Sequence, residues 1–187
     1  MTTKNEKILE AAMRVFSRYG IKRATMNDVA EEAGLVRQTL YTVFPSKDAL
    51  LRAVVGHWGE AIIAKTREGW QSAQTLDDKI EVFFEQTIRE PYRIIRAAPD
   101  ADDVIKGATT GTEAEVKILN RKKAALVAEV LGPYANTLER QGQSVENYAE
   151  FVQNAALGVK HSAKDEEQLD RQLSALKASV LAVVNET

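Results

Sequence analysis

The polar side chains with the clearest chemical use lie between Thr25 and Leu50. The spacing of this segment is typical of two short helices that meet at a tight turn. Ala30 is small enough for a close helix crossing, Gly34 suits the positive φ of a turn, and Leu40 faces inward on the second helix. The outer side of that helix then carries side chains that could contact DNA in a groove: Arg37, Gln38, Thr39, Tyr41 and Thr42.

Four helices must position this segment. Apolar residues recur at helical spacing over about residues 3–19, which predicts a first helix. Thr25, with Asp28 three residues later, predicts an N-cap with a reciprocal capping box at the start of the second helix. Pro45 should end the third helix, and Ser46 can cap a fourth.

Beyond residue 52 the pattern indicates long helices. Breaks rich in Gly, Pro, Ser, Thr or Asp separate segments at about 47–70, 76–90, 99–106, 112–141, 144–162 and 164–185. Pro91 is expected to end one helix, and Gly132-Pro133 to break the longest, because proline donates no N–H and clashes with the preceding turn. We therefore predict an all-α chain with a helix-turn-helix DNA-binding head over 1–50 and a larger helical body over 51–187, to which the family resemblance described below assigns effector binding and dimerisation.

The charge of the chain is uneven. Residues 1–52 hold nine basic and six acidic residues, whereas the remainder holds 16 basic and 21 acidic residues, for a net charge of −2. A basic first quarter suits a protein that offers one end to phosphates, although ordinary surface scatter is an alternative on charge alone.

Composition excludes several classes of protein. The sequence has no cysteine, so it cannot form a disulfide, a thiolate nucleophile or a cysteine-ligated zinc site. No stretch approaches the roughly 20 apolar residues of a membrane span. The amino terminus begins an amphipathic helix rather than a signal peptide. We expect a cytoplasmic protein with no membrane partner.

Catalysis has little support in the sequence. His57 and His161 are far apart, and neither a GxSxG motif nor a phosphate-binding glycine-rich loop is present. We therefore predict no catalytic residue, no metal and no cofactor. The alternative of a small helical enzyme would depend on the carboxylates of Asp77-Asp78 or of Asp100, Asp102 and Asp103. Acidic residues at a helix start explain these carboxylates more simply.

Residues 6–52 resemble the DNA-binding segment of the tetracycline-repressor (TetR) family of bacterial transcription regulators. The residues in the family's register are Gly20, Thr25, Val29-Ala30, Ala33-Gly34, Thr39-Leu40-Tyr41, Phe44, Lys47 and Leu50-Leu51. The helices that come after them are similar in number and order to the family's variable body. The resemblance implies a homodimeric repressor that a small-molecule effector releases from a palindromic operator in double-stranded DNA. The alternative is a constitutive DNA binder with no effector.

The resemblance also assigns DNA contacts. It gives backbone-phosphate contacts to Thr25, to the hydroxyl of Tyr41 and to Lys47. Base contacts would fall to Val36, Arg37, Gln38, Thr39 and Thr42. Gln38 can pair with adenine, whereas Arg37 can pair with guanine or hold a phosphate equally well.

Two residues depart from the family's commonest pattern. Val36 stands where Ser or Thr usually caps the recognition helix, and Val43 stands where an aromatic residue or His is frequent. We expect a more apolar face on this helix, with a preference for thymine methyl groups.

Two further sets of residues are candidates in the body. The resemblance implies a mostly apolar effector pocket, with candidate walls at Trp58, Ile62, Phe84, Ile88, Ile118 and Tyr148. Apolar and small residues at helical spacing predict a dimer interface at Phe151, Ala155, Gly158, Leu169, Leu173, Leu176 and Val180. In both sets, packing into the chain's own core is the alternative.

Overall fold

The computed structural model describes residues 3–97 and 111–185, and within them regular structure is helical. The α-helices are Lys4–Tyr19 (α1), Met26–Glu32 (α2), Arg37–Val43 (α3), Lys47–Trp70 (α4), Leu76–Phe84 (α5), Glu90–Ala97 (α6), Glu113–Leu131 (α7), Ala135–Arg140 (α8), Val145–Ser162 (α9) and Glu166–Asn185 (α10). The all-α prediction is confirmed. The helix expected at about 99–106 lies outside the described residues, as do Asp100, Asp102 and Asp103.

Local capping chemistry fixes where the early helices start. The Thr25 hydroxyl accepts a hydrogen bond from the backbone N–H of Asp28 at 3.2 Å, and the Asp28 carboxylate accepts one from the backbone N–H of Thr25 at 2.8 Å. The predicted capping box is therefore confirmed. Ser46 caps α4 as predicted, because its hydroxyl accepts a hydrogen bond from the N–H of Ala49 at 3.1 Å.

The described chain forms two compact units, each with its own apolar core. The first comprises residues 3–60, 94–97 and 111–118, and the second comprises residues 61–93 and 119–185. The core of the first unit includes Ile8, Leu9, Ala12, Val15, Phe16, Val29, Ala30, Leu40, Leu50, Leu51 and Val54. Full burial of one such large side chain contributes about 1.5–3 kcal/mol, so this core holds α1 to α3 and the start of α4 together.

The core of the second unit draws on α5, α7, α9 and α10. Its fully buried members include Phe83, Phe84, Ile88, Leu126, Leu131, Leu169 and Leu173. Arg89 is buried beside this core, with its Nε 2.6 Å from Asp170 Oδ1 and its Nη1 2.8 Å from Glu81 Oε1. These charge-assisted bonds join three elements of the unit.

The prediction that Pro91 ends a helix is wrong. A π-helical turn, Glu85–Arg89, joins α5 directly to α6, which continues through Pro91 to Ala97. In a regular helix the proline ring clashes with the carbonyl four residues earlier. The wider π turn spreads the carbonyls that precede Pro91 and so accommodates the ring.

The predicted break at Gly132-Pro133 is confirmed. A 3₁₀ turn, Gly132–Tyr134, separates α7 from α8. None of the helices in the described part of the chain is both long enough and apolar enough to cross a membrane.

Candidate nucleic-acid interface

The turn between α2 and α3 has the geometry that a helix-turn-helix requires. Gly34 has φ 65°, a left-handed conformation that costs glycine little. The N–H of Leu35 donates to the carbonyl of Ala30 at 2.8 Å, and the N–H of Gly34 donates to that of Glu31 at 3.0 Å. This double hydrogen bond is a Schellman motif, which fixes the direction in which α3 leaves α2.

Helix α3 has one buried side and one exposed side. Leu40 is completely buried in the first unit's core. Arg37, Gln38, Tyr41 and Thr42 lie on the outer side, and Thr39 is partly buried. The first requirement of a recognition helix, an outward polar side, is therefore met.

The hydrogen bonds along α3 distinguish its polar side chains. Arg37 Nη2 donates to the Tyr41 hydroxyl at 3.3 Å, and Thr42 Oγ1 donates to the backbone carbonyl of Gln38 at 2.9 Å. The Gln38 amide has no hydrogen bond to any other residue that the structure describes. It is therefore free to hydrogen-bond to a base edge.

Val36 occupies the N-cap of α3 and provides no side-chain cap, as its residue type predicts. Its side chain is 71% exposed. An apolar side chain is therefore exposed at the amino-terminal end of α3. This is the side chain that we expect to contact a thymine methyl group.

Lys47 and Thr25 both interact with Asp28. Lys47 Nζ donates to the carbonyl of Lys22 at 3.1 Å, which anchors the side chain at the first turn of α4. Hydrogen bonds from Thr25 hold the pKa of Asp28 below its usual range, and the charge of Lys47 adds a smaller effect. Both donors of Thr25 are used by Asp28. The phosphate contact of Thr25, which stays a prediction, would need one of them to be released.

The predicted pocket residues do not form one group. Phe84, Ile88 and Tyr148 pack together in the second unit's core, as the alternative expected. Ile62 is buried in the same unit but outside that cluster. Trp58 and Ile118 belong to the first unit, where Ile118 is 51% exposed and does not fit the wall of an enclosed site.

The predicted dimer interface needs correction. Leu169, Leu173 and Val180 are buried in the chain's own core, and Leu176 packs against it. These α10 side chains are therefore already covered, because an amphipathic stripe does not specify which surface will cover it. On α9, Phe151 is 58% exposed. Gly158 is exposed and Ala155 partly buried on the same helical face.

Sequence reasoning missed three polar residues inside the second unit: Lys123, Gln153 and Lys160. Lys123 and Gln153 are buried, and Lys160 is partly buried. The position of Lys123 in the sequence could have predicted its burial. It lies at helical spacing with Leu119, Leu126 and Val127 on the inner face of α7. Over residues 3–97 and 111–185, no group of three or more His, Cys, Asp or Glu residues is arranged to hold a metal ion.

Comparison with known proteins shows what the first quarter of the chain is similar to. The family model described as "Bacterial regulatory proteins, tetR family" matches residues 8–54, the segment that contains the helix-turn-helix. This segment of the chain therefore resembles the DNA-binding head of TetR-family regulators. The chain is 43% identical over 51 residues to the uncharacterised HTH-type transcriptional regulator YvdT of Bacillus subtilis (strain 168). That alignment covers 27% of this chain and only 26% of YvdT, so it concerns the head alone.

Solved structures show that the likeness in fold extends over nearly the whole chain. A TetR-family regulator from Rhodococcus sp. matches with a TM-score of 0.72 and 17% identity, over 99% of this chain and 100% of that one. A transcriptional regulator from Saccharomonospora viridis, solved in complex with choline, matches with a TM-score of 0.68 and 16% identity, over 95% of each chain. A helix-turn-helix head on a helical body is the fold that they share with this chain.

Proposed function

We propose that this protein is a homodimeric transcriptional repressor of the TetR family in the cytoplasm that leaves its operator when a small molecule binds its body. The observation that carries the proposal is the division of α3. Leu40 seats the helix on the core of the first unit, while Arg37 and Gln38 project from the outer side. A seven-residue helix with one buried side and one polar side suits insertion into a major groove.

The geometry favours different roles for the two longest side chains. Gln38 has an unengaged amide, which can donate to N7 and accept from N6 of an adenine as a bidentate pair. Arg37 turns back onto Tyr41 and donates to its hydroxyl. Since Tyr41 is a proposed phosphate contact, Arg37 is better placed for the same phosphate than for a guanine. Lys47 would hold a further phosphate.

The proposed dimer uses the surfaces that the core leaves exposed. Phe151, Ala155 and Gly158 supply one face of α9. The exposed side of α10 includes four small residues at helical spacing: Ala175, Ala178, Ser179 and Ala182. Small side chains let helices of two subunits approach closely in a four-helix bundle. Such a dimer would place two copies of α3 in major grooves about 34–36 Å apart.

An effector would act by linkage. The related fold from Saccharomonospora viridis binds choline, which supports a small-molecule site in a body of this kind. An effector lowers DNA affinity only as far as it binds the DNA-free conformation more tightly, and DNA must weaken effector binding by the same factor. A constitutive binder, the second candidate, would keep its DNA in the presence of every ligand.

The experiment is a selection of duplexes from a random pool, followed by affinity measurements from about 50 to 200 mM salt. We expect a palindromic site to be enriched, with an affinity that falls steeply with salt as counterions are released. Lys164→Ala, which removes an exposed lysine of the second unit, is the matched control and should leave the affinity unchanged. A flat salt dependence, or no enriched sequence, would contradict the proposal.

A further inference from the structure

Two polar side chains are buried in the second unit and a third is partly buried, and the two lysines among them have no compensating charge among the described residues. Lys123 on α7 is 6% exposed, and Gln153 on α9 is 1% exposed. Within residues 3–97 and 111–185, neither the Nε2 nor the Oε1 atom of Gln153 has a hydrogen-bond partner. Lys160, also on α9, is partly buried. Over the described ranges, no carboxylate pairs with either ammonium group. Buried polar groups are normally satisfied, so this cluster calls for a physical explanation.

The three side chains come from two helices of the second unit. Gln153 and Lys160 are seven residues apart and therefore share one face of α9, with the small buried Ala156 between them. Helical side chains lean toward the amino end of their helix, which brings Lys160 toward the turn that carries Gln153. Lys123 lies within electrostatic reach of Lys160. The two positive groups therefore interact inside the unit, and the amide lies about two helical turns before Lys160 on the same face of α9.

This arrangement is electrostatically unfavourable as it stands. Burial, with a further contribution from the charge of Lys160, lowers the pKa of Lys123 to about 7. Burial lowers the pKa of Lys160 to about 8. Several acidic residues of the same unit are paired with other cations: Glu81 and Asp170 with Arg89, Glu85 and Glu166 with Arg93, and Asp77 with Lys177. An anion would remove the repulsion between the two lysines.

We propose that Lys123, Lys160 and Gln153 form the anion-binding end of an effector site whose ligand is a small organic carboxylate. The inference rests on the proposed effector-released function and names the chemical class of the effector. The two ammonium groups and Gln153 Nε2 would donate to the carboxylate, and Gln153 Oε1 would accept from a hydroxyl or N–H of the ligand. Leu126 and Val152, buried on the same two helices, suit an apolar remainder of the ligand.

The test is calorimetric titration of the full chain with hexanoate and with hexanamide, which has the same shape and no charge. We expect hexanoate to bind at least about tenfold more tightly, because charge-assisted bonds are roughly twice as strong as neutral ones. Lys123→Met and Lys160→Met should each weaken hexanoate about tenfold or more. Lys117→Met, on the exposed side of the same helix as Lys123, should have no effect.

Proton uptake provides a second readout. Near neutral pH, Lys123 is partly deprotonated, and a bound anion should restore its proton. The heat of hexanoate binding should therefore differ between two buffers of different ionisation enthalpy. The sign of the difference should be that expected when the protein takes up a proton. This difference should disappear in Lys123→Met. A lysine with a merely structural role would produce no linked proton.

The outcomes test separately whether the site exists and whether it prefers an organic carboxylate to phosphate. Inorganic phosphate, titrated in parallel, should bind more weakly than hexanoate because it has no apolar part. Tighter binding of phosphate would overturn the organic effector. Equal affinity for hexanoate and hexanamide, or unchanged binding in both methionine variants, would overturn the site. Methionine fills a similar volume without a buried charge, so the variants should fold, and Lys123→Gln is the substitute if one does not.

Duplex binding by the same protein preparation distinguishes this inference from the proposed function. Protein that binds its selected duplex but not hexanoate would refute the anion site and leave the regulator intact. Protein that binds hexanoate through Lys123 and Lys160 but never binds DNA would refute the regulator and leave the site intact.

Discussion

The guanidinium of Arg37 lies over the ring of Tyr41, with Cζ 5.2 Å from the ring centroid, and it also donates to the hydroxyl of that ring at 3.3 Å. The two residues are one helical turn apart on the exposed side of α3. The cation–π contact and the hydrogen bond restrict both side chains before any DNA is present. They act as one positively charged group rather than as two independent contacts.

Tyr41→Phe should therefore weaken DNA binding without changing which sequence is preferred. The substitution keeps the ring under Arg37 and removes both the hydroxyl that would contact a phosphate and the acceptor for the guanidinium. We expect a loss of about 1 kcal/mol, roughly fivefold in affinity, for every duplex alike. Fluorescence anisotropy on the selected site and on single-base variants of it provides the measurement. A change in the ranking of those duplexes would show that Tyr41 contacts a base.

Gln38→Ala should instead change the order of affinities for the selected duplex and its single-base variants. If the amide pairs with an adenine, its removal should abolish discrimination at one position of each half-site, a difference of about 1–3 kcal/mol between the selected and the altered base pair. Competition with duplexes altered at single positions measures this. Gln143→Ala, at an exposed site of the second unit, is the control. Discrimination retained at every position would mean that Gln38 does not read sequence.

Gly158→Ala tests the proposed dimer face. A Cβ at this position meets nothing within 4 Å in the single chain, so alanine should stabilise α9. The gain should be about 1 kcal/mol. A close helix contact between subunits would nevertheless be obstructed, and overpacking of this kind costs about 1–3 kcal/mol, or roughly tenfold in the dimer dissociation constant.

The matched control for the dimer is Gly56→Ala on α4, which is also helical and open around its Cβ. It should stabilise the chain with no effect on dimerisation. Sedimentation equilibrium compares the two variants with the wild type. A Gly158→Ala protein that dimerises as tightly as the wild type would place the interface elsewhere.

The stability of the chain should rise with pH above neutrality. Lys123 and Lys160 have folded-state pKa values of about 7 and about 8, below the ordinary lysine value of 10.5. The unfolded chain therefore binds more protons than the folded chain between the lowered and the ordinary values, and stability increases with pH across that window. Burial, followed by the charge of Lys160, also lowers the pKa of His161, which adds a rise of the same sign at lower pH.

The π turn and α10 both contact α9, and their residues Arg89 and Asp170 are paired with each other. Thermal unfolding at several values from about pH 7 to pH 9 should show the increase, with about 2–4 °C gained for each kcal/mol. The double variant Lys123→Met/Lys160→Met should show a much smaller slope. A wild-type slope that is flat or negative would mean that the two lysines are solvated.

Sequence could predict those parts of the fold that local chemistry determines. Thr25, Gly34 and Ser46 satisfy backbone groups within a few residues of themselves, so their types and spacing were sufficient. Leu169 and Leu173 differ, because a helical stripe shows that a side chain is covered but not whether its own chain or a partner covers it. Lys123 was missed because a single lysine at an apolar position carries no pattern of its own.

Pro91 lies just after a turn in which one inserted residue sets the direction of the next helix. The π turn Glu85–Arg89 is in effect an α-helix with one residue too many, and each helical residue turns the chain by about 100°. Deleting a single residue there would restore a regular helix and rotate α6 by that angle. Tyr92, whose hydroxyl now donates to the carbonyl of Ala163 at 3.3 Å, would swing away from the end of α9. The orientation of α6 is thus encoded by a count of residues rather than by the identity of any one of them.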